Sequence, residues 1–257
     1  MKRLLFAAVC ALLVLFNAGR VECRRHGDSG DSARQYKLFV FGDDYADTGN
    51  YPLADLSKTT RAWYYPYGSN DKDHGMSASG RFSNGLVLPD FIARILGREE
   101  SPPAESKREQ DGVDPFGMNF AVGGAGVVEG TREAPKLGTQ VDRFRRLMIA
   151  SVHNAYLEEK VFKDAAVLNL DLNTMFRRLT SGSGSSQSSK RFNKHRLEPC
   201  CEVFDRTDYC GRMDDGAAAY SLCSAPDKYF YWDEINPTHA GWKAVVNELE
   251  ESIKNFL

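Results

Sequence analysis

The stretch FVFGDDYADTGN, residues 39–50, carries three apolar residues into a glycine turn and sets two adjacent carboxylates, Asp43 and Asp44, at its end. A short continuous apolar run suits a strand that is covered on both faces. In α/β enzymes the turn after such a strand is a common seat for a nucleophile. Here the exposed position of the turn, Asp44, is an acid. The stretch predicts a strand over 37–42 and a polar site at its carboxyl end.

Outward from it, residues 86–96 place apolar side chains near helical spacing and stop at Gly97, which predicts a helix. A terminal helix is expected from Thr238 to about Phe256, capped by Thr238 and faced by Ala244, Val245, Leu249 and Ile253. Residues 164–173, DAAVLNLDLN, read as a second strand, with a short helix behind it over 174–179. Residues 50–85 read as a long surface loop, and 98–114 as a charged one. The small residues of GMNFAVGGAGV, 117–127, allow backbones to approach closely. SGSGSSQSSK, 181–190, is a low-complexity flexible loop. From Thr139 to Phe162 the chain reads as one helix without a break, about 35 Å long at 1.5 Å per residue. A crossover helix in an α/β domain need not be so long.

Lys2 and Arg3 precede an apolar run from Leu4 to Phe16, and the small residues Ala18 and Gly19 follow. This is the pattern of a secretory signal peptide, expected over 1–23. The run is shorter than the roughly 20 apolar residues of a membrane span. The expectation is secretion to the extracellular space without stable membrane insertion; a signal anchor is the alternative. Residues 24–36 are expected to be a disordered linker, and 37–257 a single domain. A net charge of −2 gives no electrostatic case for nucleic acid.

Beyond Cys10 and Cys23, four cysteines cluster late: Cys200, Cys201, Cys210 and Cys223. In an oxidising compartment they read as two disulfides. Zinc is the alternative, but adjacent cysteines make poor paired ligands. Cys200 and Cys201 are expected to take one each of Cys210 and Cys223, in an order the sequence leaves open. No Asn-x-Ser/Thr site with a permitted middle residue occurs.

Three segments together resemble the plant GDSL esterase/lipase family of the SGNH hydrolase superfamily. They are Phe41-Gly-Asp-Asp-Tyr-Ala-Asp-Thr-Gly-Asn50, Asn119-Phe-Ala-Val-Gly-Gly-Ala125 and Trp232-Asp-Glu-Ile-Asn-Pro-Thr238. GRFSNG (80–85) and the block from Cys200-Cys201 to Tyr209-Cys-Gly211 add to the likeness. The resemblance implies an α/β fold, a three-layer α/β/α sandwich with a mostly parallel sheet of flavodoxin-like order. It also implies a hydrolase of carboxylic esters or lipids, cell-wall esters included, that needs no cofactor. Such an enzyme pairs a serine nucleophile with a histidine base and an orienting aspartate. Its oxyanion is held by the serine N–H, a glycine and an asparagine.

Carried over by position, Asp44 stands where the serine belongs, Gly124 matches the oxyanion glycine and Asp233 matches the triad acid. Asn236 stands where the base belongs, and His239 lies one helical turn beyond. A carboxylate has no proton for a base to remove, and an amide accepts none at neutral pH. The family's Gly-x-Asn-Asp block is absent: QVDRFRRLMIA passes straight to SVHNAYLEEK. Central strands of the sheet are therefore expected to be missing, which accounts for the overlong helix as two half-helices joined near Ala150 and Ser151. The chain reads as a degenerate, shortened member with weak or lost turnover, or as an inactive relative that binds an acyl ester, lipid or cell-wall ligand. Blander readings stand beside these. Asp43 and Asp44 are good helix caps, and with Asp47 they form a carboxylate group without the His or Glu partners of a metal site. Gly123 and Gly124 suit close packing, Asp171 an outward-facing or capping position, His153 an ordinary helix position, and Ser83 a structural hydroxyl.

Overall fold

A computed structural model describes residues 14–16, 36–108, 114, 116–126, 136–152, 168–181 and 190–257; of 14–16 and 149–152 it describes the backbone alone. The expected leader and linker otherwise lie outside these residues, as do His153 and most of the 181–190 loop.

The opening stretch forms strand β2 (Lys37–Val40). Its neighbours are β1 (Val14–Phe16), antiparallel, and β3 (Gly117–Asn119), parallel, with Leu38 opposite Gly117 and Val40 opposite Asn119. The apolar run is continuous because both faces of β2 are covered. Leu38 and Val40 enter a core with helix α1 (Leu88–Ile95) and the terminal helix; Phe39 and Phe41 enter another with Met118, Phe120 and Leu147. Gly117 is required by the close approach of β3. A Cβ there would lie 2.0 Å from the Leu38 carbonyl oxygen, at a φ of +128° that side chains rarely adopt.

Helix α2 (Leu137–Val152) runs unbroken across positions 150 and 151, where two half-helices were expected to join. The remainder of the expected helix lies outside the described residues. The expected strand over 164–173 is corrected in its described part: residues 168–171 form no strand, and helix α3 (Leu172–Thr180) begins there. Asp171 caps that helix, accepting from the Thr174 N–H at 3.0 Å and the Thr174 hydroxyl at 2.6 Å. A cap that stops the chain and turns it explains why an apolar run need not be a strand. Residues 50–85 are not merely a surface loop either. Ala62, Tyr67, Arg61, Asp71, Phe82 and Ser83 in that segment are all buried.

The cysteine region pairs short strands. β4 (His195–Pro199) lies parallel to β9 (Tyr229–Tyr231), β5 (Cys201–Val203) antiparallel to β8 (Tyr220–Leu222), and β6 (Met213–Asp214) antiparallel to β7 (Ala217–Ala218). Disulfides join Cys200 to Cys223 and Cys201 to Cys210, so each of the adjacent cysteines takes one of the later pair, as expected. Helix α4 (His239–Phe256) closes the chain, with the Thr238 hydroxyl accepting from the Gly241 N–H at 2.9 Å. Its buried face includes Trp242, Val245, Leu249 and Ile253. Among the described residues no helix is long and apolar enough to cross a membrane.

Candidate active site

The turn after β2 is built by its own acids. The Asp43 carbonyl accepts from the N–H groups of Ala46 and Asp47, at 3.0 and 2.9 Å, and its carboxylate from the Tyr45 N–H at 3.2 Å. Asp47 is fully buried and takes four backbone N–H groups, from Gly49, Asn50, Tyr51 and Gly123, at 2.6–3.1 Å. Through Gly123 it fastens this turn to the loop after β3. Gly123 itself allows close packing, since a Cβ there would meet the Phe82 ring at 2.5 Å. From the far side, Gln140 of α2 grips Gly42 twice, donating to its carbonyl at 2.8 Å and accepting from its N–H at 2.9 Å.

Gly124 adopts φ +73° and donates its N–H to the Asp44 carboxylate. Burial still pushes Asp44 above the ordinary carboxylate range; the Gly124 N–H and the Arg61 charge oppose the shift, and Asp233 adds to it. Asp43 is raised to about 6, by burial first and by the Asp44 charge second.

Asp233 follows β9 and is fully buried. It accepts from the Tyr67 hydroxyl at 2.7 Å, Arg61 Nη2 at 3.2 Å and the backbone N–H groups of Ile235 and Asn236 at 3.1 and 2.8 Å. Burial alone would raise its pKa, but the Arg61 guanidinium and the bonds from Tyr67 and Asn236 outweigh it and hold the carboxyl below the usual range. Asn236 donates its amide to both Asp233 oxygens, at 3.1 and 3.0 Å. Its own Oδ1, buried, has no partner among the described residues. Arg61 is buried too. Its Nε donates to Tyr67 at 2.7 Å, its Nη1 to the Lys58 carbonyl, and its charge acts on both Asp44 and Asp233.

The predicted site residues thus fall into two groups. Asp44 with Gly124, and Asp233 with Asn236, face one buried cation. His239 is turned elsewhere: its Nδ1 accepts from the Leu86 N–H at 3.2 Å, and its ring stands edge-on to Phe91 at 5.1 Å between centroids. Burial, and then Arg94, lowers its pKa. Among the described residues no hydrogen bond joins it to Asp44 or Asp233, and no cluster of His, Cys, Asp or Glu stands ready to hold a metal ion. Arg61, Tyr67 and Gln140 escaped the sequence reading. The tyrosine lay in plain view in WYYPYG (63–68), but its partner is 166 residues away.

A family model described as GDSL-like Lipase/Acylhydrolase matches residues 38–167. Among curated proteins, GDSL esterase/lipase At5g03610 of Arabidopsis thaliana is 26% identical over 355 aligned positions, covering 97% of this chain and 95% of the relative. Those positions outnumber the 257 residues of the chain, so the alignment carries long gaps on this side. GDSL esterase/lipase At5g03600 is 26% identical over 86% of this chain and 95% of its own length, and At5g08460 is 33% identical over 71% and 45%, both from the same plant. No solved structure matches the chain.

Proposed function

The chain belongs to the GDSL-like lipase/acylhydrolase family, and on that premise we propose that it is a secreted, esterase-like protein that binds an acyl ester, lipid or cell-wall ester and turns it over weakly or not at all. One observation carries this reading. A backbone donor that would hold an ester's oxyanion, the N–H of Gly124, already serves the Asp44 carboxylate. A tetrahedral oxyanion would have to displace a negative group from its own binding place. Asn236 adds nothing as a base, because its amide is spent on Asp233. Attack by Asp44 on an ester would yield a mixed anhydride, a poorer intermediate than an acyl-serine. The two disulfides support an oxidising compartment. For the fold we infer a three-layer α/β/α sandwich that has lost central strands of its sheet, in keeping with the long alignment gaps.

The test is hydrolysis of a short-chain p-nitrophenyl ester by disulfide-intact protein with a cooperative melt, beside Asp44→Ala. The expected rate is close to that of buffer for both. A wild-type rate well above buffer that disappears in Asp44→Ala would overturn the proposal and make Asp44 a nucleophile or base. In Asp44→Ser with Asn236→His, the Gly124 N–H is freed and a base restored, so activity above the parent is expected.

A further inference from the structure

Away from Asp44, a cavity of about 340 Å³ opens at the outer edge of β3. Ala104 pairs with Asn119 there, which brings the 3₁₀ turn Glu105–Lys107 and Arg108 alongside α2. The cavity is lined by Glu105, Arg108, Phe120, Arg143, Arg146 and Leu147. Arg143 and Arg146 stand three residues apart on α2, hence on one face of it. Among the described residues one carboxylate answers the three guanidiniums: Glu105 pairs with Arg143 at 3.2 Å. Arg108 and Arg146 meet no carboxylate among the described residues. The floor, Phe120 and Leu147, is apolar and belongs to the aromatic core beneath α2.

We infer that this cavity is a second binding site, for an amphiphilic anion whose carboxylate or phosphate head lies among Arg108, Arg143 and Arg146 and whose apolar body rests on Phe120 and Leu147. The planar fork of a guanidinium matches either head group, in two-point contact. Among the described lining residues, a surplus of two cations over a hydrophobic floor selects for a charge and an apolar part in one molecule. The volume is at the small end of ligand pockets, about 300–1,000 Å³, which suits a short chain. The site uses none of the Asp44 machinery and stands or falls apart from the function proposed above.

Calorimetric titration of the full chain at low salt tests it, with octanoate, octyl phosphate, inorganic phosphate and the neutral octyl glucoside as probes. Both octyl anions are expected to bind, octyl glucoside not, and inorganic phosphate more weakly than octyl phosphate. The stronger of the two octyl anions identifies the head group. Arg146→Glu should weaken binding at least about tenfold. Arg206→Glu, the same charge change at an exposed site in the cysteine region, should leave it as it is. Absence of anion binding to the wild type, equal loss in both variants, or equal affinity for octyl glucoside would overturn the site. Equal affinity for inorganic and octyl phosphate would overturn its apolar half.

Discussion

Arg61 is what makes a fully buried Asp233 tolerable. Removing one partner of a buried ion pair leaves an uncompensated charge and costs about 3–5 kcal/mol. Arg61→Met is therefore expected to lower stability by that order in denaturant melts, and Asp233→Asn in the same chain to restore most of it. A loss under about 1 kcal/mol would mean that Tyr67 and the backbone carry Asp233 unaided. Asp43 gives a pH signature of its own. Its folded pKa is raised to about 6, so its charged form costs stability above that pH, and the cost is released as pH falls from 6 toward the unfolded value. Asp43→Asn should thus be more stable than wild type at pH 7, by up to about 2 kcal/mol. The gap should narrow as pH falls through 6 and close only below the unfolded value of 3.8; thermal melts at pH 7 and at about pH 3 check it. At this scale the sequence spoke clearly about Asp44, Gly124, Asp233 and Asn236, because each sits in a short motif. It was silent on Arg61, whose bond to Asp233 spans 172 residues, and no local pattern marks a buried arginine.

Among the elements, α2 grips the turn at Gly42 through Gln140. Gln140→Ala removes both bonds to Gly42 and leaves its N–H short of a partner, while its carbonyl keeps the Val122 N–H at 3.1 Å. The expected loss is about 1–3 kcal/mol, with faster amide exchange at Gly42. Unchanged exchange there would show that other contacts hold the turn. The helices α1 and α4 were legible because their apolar spacing, caps and stops agree with one another. Strand β2 was legible because an unbroken apolar run fits burial on both faces. The strand expected over 164–173 shows the limit of that logic. Leu168, Leu170 and Leu172 do pack against the core, but apolarity alone does not say in what backbone form, and Asp171 turned the chain into a helix. Likewise the burial within 50–85 was hidden by polar residues that bond inward.

Across the whole molecule, the late cysteines hold together strands of only two to five residues. Strands that short are marginal by themselves. Cys201→Ser with Cys210→Ser is expected to cost about 2–4 kcal/mol, read as a lower melting temperature that added reductant does not lower as far as it lowers the wild type. An equal fall in both proteins would place the stability in the Cys200–Cys223 bond instead. The cysteine count announced two bonds, but their order depended on which strands met in space. Asp44 has a last consequence, for detection. Fluorophosphonate tags report serine hydrolases by capturing an activated hydroxyl, and position 44 offers a carboxylate already engaged with Gly124. A tissue rich in this protein will look empty of it in any inventory built on such tags, however plainly its transcript is seen.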